Sequence, residues 1–339
     1  MARIELQNVT VRFGGTRALK NLSLTVEDGE FFVLLGRTGA GKTTTLRVIA
    51  GLEKPEQGRV LIGDSDVGNR TVAERDVALV LQQYSLYPRL TVRGNLEFPL
   101  KIRGLTAQQI AARVEQAANT LQITHLLDRK VERLSGGEMQ RVSIGRAIVR
   151  APTVFLMDEP LSALVAKLRE SLRVELKSLH RNLGATFLYV THDQVEAMSM
   201  GDKIGVLRAG KLVQVGTPSD IYERPLDTFV ARSVGSPPMN LIEGRLASGR
   251  AEVGGFTLPV QAANAGESTL VFGVRPENLL LEAGAPAEAR VFECRQHVLV
   301  VKQVPRARSS GVAGHAPMHR LVFAIPRIVW IGILRYIGS

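Results

Sequence analysis

The sequence predicts an α/β domain carrying a helical insert, followed after a proline linker by a small β-rich domain. Three patterns point to it. Apolar-rich runs of strand length recur through the first two-thirds of the chain, at residues 31–35, 77–81 and 186–190, as in strands buried on both faces. Helix-periodic segments lie between them. Beyond Val234-Gly235-Ser236-Pro237-Pro238 the runs turn short and strand-like at 241–246, 251–258 and 270–274, with no helical period among them.

Taken in order, residues 3–12 alternate loosely, as an edge strand does, and 22–26 alternate cleanly. Between them Phe13-Gly14-Gly15 is an aromatic before a turn. Asp28-Gly29 then supplies the turn into the run 31–35. That run ends in Gly36-Arg37-Thr38-Gly39-Ala40-Gly41-Lys42-Thr43, which fits G-x-x-x-x-G-K-[ST], the phosphate-binding P-loop. Residues 44–50 continue as a helix with Leu46, Ile49 and Ala50 on one face. An ordinary glycine turn would match the same letters, but not with a strand before it and a helix behind. Gly39 and Gly41 let backbone N–H groups curl around a polyphosphate, toward which the helix start presents its positive end. Lys42 would reach the β/γ-phosphates and the Thr43 hydroxyl would hold Mg²⁺.

Residues 51–78 carry short strands and turns, and the run 77–81 ends in Gln82-Gln83-Tyr84-Ser85-Leu86-Tyr87-Pro88. A polar, proline-closed stretch after a core strand is where functional loops lie. From Thr91 to Arg150 the character is helical, with Thr106 capping a helix over 107–121. This insert ends in Leu134-Ser135-Gly136-Gly137-Glu138-Met139-Gln140-Arg141 and a helix running to Val149. Ser135 and Glu138 have capping-box spacing. Capping does not account for two glycines in a first turn, unless something approaches the backbone closely there. Next, Thr153-Val154-Phe155-Leu156-Met157-Asp158-Glu159-Pro160 is an apolar strand ending in two acids. With a P-loop upstream, Asp158 can bind its Mg²⁺ and Glu159 can polarise an attacking water. A helix over 162–183 and the strand 186–190 deliver Thr191-His192-Asp193-Gln194 to a strand's carboxyl end, where α/β sheets keep their ligand groups. A strand at 203–207, the turn 208–211 and a short helix over 218–223 close the first domain.

Composition bounds the function. With 339 residues, 45% hydrophobic and 22% charged, the chain is an ordinary globular protein with room for one large and one small core. The net charge of +11 invites a nucleic-acid partner, but its distribution argues against one. From Phe292 onward seven Lys/Arg face only Glu293, so +6 of the excess lies in the tail. A single cysteine, Cys294, excludes an internal disulfide framework and fits a reducing compartment. No secretory leader and no apolar run of membrane-spanning length is expected.

The P-loop, Leu-Ser-Gly-Gly-Glu, the Asp158-Glu159 strand end and His192, in this order, resemble the ATP-binding subunits of ABC transporters. The match runs from residue 3 to about 240. Tyr-Val-Thr-His-Asp-Gln-Val-Glu-Ala-Met at 189–198 and Gly-Ser-Pro-Pro-Met-Asn at 235–240 look most like the maltose/glycerol-phosphate-type importer subunits, in which a β-rich, OB-like domain follows. Gly273-Val274-Arg275-Pro276-Glu277 resembles a segment of that domain. The resemblance implies a motor that binds and hydrolyses ATP with Mg²⁺. Phe13 would stack on adenine, and Gly36, Thr38, Gly39, Ala40, Gly41, Lys42, Thr43 and Thr44 would cradle the phosphates. Thr43, Gln82 and Asp158 would serve the metal, and Gln82 would also sense the attacking water. Glu159 would be the general base, and His192 would bind the γ-phosphate. Ser135 and Gly137 would bind the γ-phosphate of ATP held by a second copy, in a head-to-tail homodimer closed by two ATPs. Residues 84–89 would touch a helix of one of two membrane-spanning permease subunits, themselves fed by an extracytoplasmic solute-binding protein. The implied location is peripheral, on the cytoplasmic face of the inner membrane. Two other classes stay open: a catalytically impaired copy, and a soluble ABC ATPase acting on nucleic acid or ribosomes.

Three features depart from the family pattern. Glu138 stands where the signature usually has Gln, and it completes the cap. Val165 stands where the family has an aspartate that orders the dimer interface, so reduced or poorly coupled hydrolysis is expected. The resemblance also fails beyond about Val291. The expected division is therefore an ATPase domain over 1–235, a partial β-rich OB-like domain over 236–291, and a divergent basic tail over 292–339. That tail is expected to be poorly ordered, with a sticky or interfacial segment over 321–338.

Overall fold

A computed structural model of the chain describes residues 2–247 and, beyond them, 250–253, 256–261, 268–276, 289–292, 299–301 and 329–332. It divides into two compact units, Met1–Pro218 and Ser219–Ser339.

The first unit opens with two long antiparallel strands, β1 (Ile4–Phe13) and β2 (Thr16–Val26). The P-loop strand β3 (Phe31–Gly36) and its helix α1 (Lys42–Ala50) follow, then β4 (Gln57–Ile62), β5 (Ser65–Asp66) and β6 (Val77–Val80). The insert holds α2 (Val92–Ile102), α3 (Ala107–Thr120) and α4 (Gly136–Ile148). Last come β7 (Val154–Asp158), α5 (Ala166–Leu183), β8 (Thr186–Thr191), α6 (Gln194–Met200), β9 (Lys203–Arg208) and β10 (Lys211–Gly216).

These strands form two sheets. A four-stranded antiparallel sheet runs β2-β1-β4-β5, and a six-stranded sheet runs β10-β9-β3-β8-β7-β6. The second is parallel from β9 to β6, and all six residues of β3 and of β8 are buried. Burial on both faces is why those strands are continuous apolar runs. The first sheet corrects an expectation. Strand β1 is not an edge: it pairs with β2 on one side and β4 on the other. Its loose alternation follows from register shifts along both pairings, which turn side chains out of strict period.

Other differences are local. Helix α2 went unassigned in the sequence because Pro99 lies inside it and breaks the helical signal. The helix expected from 162 begins at Ala166, since residues 162–165 form a turn that leaves β7. Between α1 and the insert, Arg75 is buried and donates from Nη1 to the carbonyls of Val48 and Ile49, at 2.7 and 2.9 Å. A guanidinium thus caps the carboxyl end of the P-loop helix and opposes its dipole. Its partners lie more than 25 residues away in sequence, and no local pattern announces it.

His180 on α5 sits in the core against Phe31 and Phe187, its Nε2 donating to the Gly29 carbonyl at 3.0 Å. Burial lowers its pKa below the ordinary 6.5, with the Gly29 bond opposing in part. The neutral ring is the folded form. Its contribution to stability is therefore complete above the unfolded value near 6.5 and declines as pH falls through that value toward the lower folded one. Thermal melts of the parent should lose midpoint between pH 7.5 and 5.5, and a His180→Gln variant should lose less over the same interval. Equal losses would place the pH dependence elsewhere.

The second unit carries the rest of α7 (Pro218–Glu223), then α8 (Thr228–Ser233) and a sheet. Its strands β11 (Asn240–Ala247), β12 (Arg250–Val253), β13 (Phe256–Gln261) and β14 (Ser268–Val274) pair antiparallel as β14-β11-β12-β13. The single strand expected over 251–258 is therefore a hairpin of two. Further strands β15 (Ala289–Phe292), β16 (Leu299–Val301) and β17 (Val329–Gly332) add to its two sides in parallel pairings. Arg275 is 2% exposed, stacks on Tyr222 at 3.6 Å and donates to the carbonyls of Val234 and Tyr222. Burial lowers its pKa to about 10, still charged at neutral pH. The expectations for the tail after 292 fall, apart from β16 and β17, outside the described residues.

Candidate functional site

Four neighbouring parallel strands, β3, β8, β7 and β6, end on the same edge. The register aligns Leu35 with Thr191, Asp158 with Val190 and Val80 with Met157. The P-loop, His192, the Asp158-Glu159 pair and Gln82 therefore leave the sheet side by side, where open α/β sheets bind ligands.

The loop after β3 ends at Gly41, whose φ of 109° no ordinary side chain adopts readily. Gly41 is the N-cap of α1 and provides no side-chain cap, so the first-turn N–H groups are available to an anion. Gly36 and Ala40 are buried in the loop, while Thr38, Gly39 and Thr43 face solvent and Thr44 is half-buried. Lys42 is 5% exposed and spends all three donors: on the carbonyls of Gly36 (3.0 Å) and Arg37 (3.3 Å), and on Glu159 Oε1 at 3.1 Å.

Asp158 and Glu159 divide the work of the β7 end. Thr43 Oγ1 donates to Asp158 Oδ1 at 3.1 Å. Burial pushes the Asp158 carboxyl above its usual range, and the Thr43 bond offsets only part of this. A hydroxyl beside a desolvated carboxylate is a hard-oxygen donor pair that a cation would relieve. Among the described residues no group of three or more His, Cys, Asp or Glu could cage a metal.

Glu159 itself has φ 45°, left-handed backbone on a non-glycine residue. Such a conformation costs about 1–3 kcal/mol and persists only where surroundings over-determine it. Here Glu159 N donates to Val190 O (3.0 Å), and its carbonyl accepts from Ser162 N (3.2 Å) and Ser162 Oγ (2.8 Å). Its carboxylate Oε2 meets His192 Nδ1 at 2.6 Å. An ionised carboxylate only accepts, so Nδ1 carries the proton and Nε2 is left to face a ligand.

Three further elements carry the remaining sequence-derived residues. Phe13 ends β1 with its ring half exposed. Gln82 is exposed just past β6. Ser135 and Gly137 start α4. Ser135 makes the expected capping box, its N and Oγ donating to Glu138 Oε2 at 2.7 and 2.8 Å, bonds that lower the Glu138 pKa. The two glycines have a reason within the chain. A Cβ on Gly137 would stand 2.3 Å from Leu168 Cδ2 on α5, and one on Gly136 would stand 3.2 Å from the Tyr84 hydroxyl.

Sequence alone missed what holds the loop after β6. Buried Asn95 accepts from Tyr87 N at 2.8 Å and donates to the carbonyls of Tyr87 and Thr91. Arg146 on α4 donates to the Ser85 carbonyl and stacks on the Tyr87 ring at 4.5 Å. Tyr87, Phe98 and Ile102 remain exposed beside one another in this region, the first two with ring centroids 4.5 Å apart. No helix among the described residues is long and apolar enough to cross a membrane.

Known proteins resemble this chain in sequence and fold. The ABC transporter family profile matches residues 19–162, and that of the MalK OB fold domain matches 235–279. The trehalose/maltose import ATP-binding protein MalK of Thermococcus litoralis is 50% identical over 82% of this chain and 79% of its own length. The sn-glycerol-3-phosphate import ATP-binding protein UgpC of Ruegeria pomeroyi is 47% identical, covering 86% and 83%. The sulfoquinovosyl glycerol transport ATP-binding protein SmoE of Agrobacterium fabrum is 48% identical, covering 89% and 85%. Among solved structures, cbiO1 of Clostridium perfringens, part of an ABC transporter complex, superposes with a TM-score of 0.62 at 26% identity over 65% of this chain and 90% of that one. The dimeric cassette MJ0796 bound to ADP and phosphate gives 0.57 at 32% identity, over 63% and 98%.

Proposed function

This chain belongs to the ABC transporter ATP-binding subunits, and we propose that it drives import of a sugar or sugar phosphate through two membrane-spanning permease subunits. It is an ATPase. The observation that carries the proposal is the convergence of Lys42, Thr43, Asp158, Glu159 and His192 on one sheet edge, joined by the Thr43–Asp158, Lys42–Glu159 and Glu159–His192 contacts. The solute class comes from relatives that import trehalose/maltose, sn-glycerol-3-phosphate and sulfoquinovosyl glycerol.

In the proposed mechanism the P-loop from Gly36 to Thr44 wraps the phosphates and Phe13 covers the adenine. Lys42 shifts from Glu159 Oε1 to the β/γ-phosphates, which frees that oxygen. Thr43, Asp158 and Gln82 would hold Mg²⁺, which when bound neutralises charge on the phosphate oxygens. Glu159 takes a proton from the attacking water as the bond from the γ-phosphorus to the ADP oxygen breaks, and His192 Nε2 steadies the γ-phosphate. Ser135 and Gly137 act on ATP bound to a second copy, so that two ATPs close a head-to-tail homodimer. Residues 84–89, presented by Asn95 and Arg146, dock the permease. The subunit works peripherally on the cytoplasmic membrane face, with a solute-binding protein on the far side and no nucleic acid. Residues 1–235 would be the ATPase domain, 236–291 a partial β-rich regulatory domain, and 292–339 a divergent basic tail.

Affinity purification of the tagged full chain from its own membranes tests the importer assignment. Recovery of two polytopic membrane proteins, lost on Tyr87→Asp, is the expected result. Recovery of ribosomes or nucleic acid in their place would overturn it.

Val165 bears on rate. It is 73% exposed and is the N-cap of α5 without a side-chain cap. A Val165→Asp variant should gain about 1 kcal/mol of helix capping and hydrolyse ATP faster than the parent. A variant no faster would remove Val165 as a brake.

A further inference from the structure

Two loops meet at the proposed reaction centre, one from β7 carrying Glu159 and one from β8 carrying His192. One side chain outside both loops touches each of them. Arg169, in the first turns of α5, donates from Nη2 to the carbonyls of Ser162 (3.3 Å) and Leu164 (3.2 Å). From Nη1 it donates to Asp193 Oδ2, also at 3.3 Å. Both partners of this ion pair are partly buried, at 32% and 23% exposed.

We propose that Arg169 is a positioning residue that holds the general-base turn and the histidine loop in register. The inference rests on the assignment of Glu159 and His192 to the hydrolytic centre. On the β7 side, Ser162 gives both its amide and its hydroxyl to the carbonyl of left-handed Glu159. Arg169 fixes the carbonyl of that same serine. The contact therefore transmits through one residue to the strained backbone of the base. On the β8 side, Asp193 follows His192 directly and spends Oδ1 on capping α6, accepting from Val195 N (2.7 Å) and Glu196 N (3.4 Å). Its Oδ2 is left to Arg169. Below it, Thr191 Oγ1 accepts from Asp193 N (2.9 Å) and donates to Glu196 Oε2 (2.7 Å). Tyr189 donates to the same oxygen at 2.8 Å, and both Tyr189 and Glu196 are buried. The histidine loop is thus fixed internally, and Arg169 is its tie to the base. Val165 four residues earlier brings no hydrogen-bonding side chain to this turn, so the guanidinium fork is what secures residues 162–164 from α5. A lysine gathers its three donors on one nitrogen and has no planar fork to span acceptors on two separate loops.

The test uses the purified full chain and four variants: Arg169→Ala, Arg169→Lys, Asp193→Asn and Glu159→Gln. Asp193→Asn keeps the α6 cap while weakening the charge pair, and it decides the matter if Arg169→Ala does not fold. Misplacing a reacting group by about 1 Å costs on the order of 100-fold. Both Arg169 variants should accordingly lose about ten- to a hundredfold in kcat, with the KM for ATP and the melting midpoint close to the parent's. Asp193→Asn should lose several-fold in kcat only, and adding it to Arg169→Ala should cost little more. Unchanged kcat in the Arg169 and Asp193 variants, beside an inactive Glu159→Gln, would overturn the positioning role and leave the assignment of the base intact. Turnover surviving in Glu159→Gln would overturn the assignment on which it rests.

Discussion

Replacing Glu159 by glutamine is expected to lower Mg²⁺-ATP turnover by about 100- to 10,000-fold, the usual weight of a positioned general base, while nucleotide still binds. The amide keeps the shape and one acceptor, so Ser162 and Val190 still hold the turn through the backbone of residue 159. What is lost is the ability to take a proton. Glutamine also brings no charge to pair with Lys42, which stands 3.1 Å from Oε1 in the parent, so the lysine is held less tightly away from the phosphates. ATP affinity should therefore hold or rise. Single-turnover hydrolysis beside fluorescent-nucleotide titration separates the two effects, and a loss of binding in step with turnover would count against a base.

The second large effect is expected at Gly41→Ala. Its φ of 109° costs any other residue about 1–3 kcal/mol. The new Cβ would also stand 2.8 Å from the Ala18 carbonyl and 2.9 Å from Leu19 Cδ2. The carbonyl belongs to β2 and cannot retreat without disturbing its sheet. The loop must move instead, taking the first turn of α1 and Lys42 with it. Denaturant unfolding should show a loss of about 3 kcal/mol, and ATP binding should weaken by more than tenfold. Parent-like stability and binding would mean that the loop tolerates a shift the packing does not suggest.

Much of this site was legible because its chemistry is local. The P-loop needs glycines, a lysine and a hydroxyl at fixed spacing after a strand, and the two acids must sit at a strand end, so short stretches declared both. Strands buried on both faces were equally plain, since β3, β7 and β8 have no polar side to blur the run. What sequence did not show is long-range. Strand β1 looked like an edge because its irregular register, not its neighbours, is written in its residues. Arg75, Asn95 and Arg146 each satisfy backbone groups of another element, and an arginine or asparagine bound for such a duty looks like any surface residue. The start of α5 was misplaced for a related reason. Residues 162–165 form the turn from which Ser162 holds Glu159 in left-handed geometry, a demand visible only once the turn is built. Glycines 136 and 137 signalled a close approach in sequence; the structure identifies Leu168 and Tyr84 as the groups that approach.

In the proposed motor ATP is shared between two copies, with the P-loop of one and the α4 start of the other enclosing each nucleotide. The most direct measurement is sedimentation of the Glu159→Gln protein, in which bound ATP persists, with and without Mg²⁺-ATP. A monomer that doubles in mass on adding ATP, and fails to do so when Ser135 is also changed to Arg, is the expected result. A protein that binds ATP and stays monomeric would contradict it.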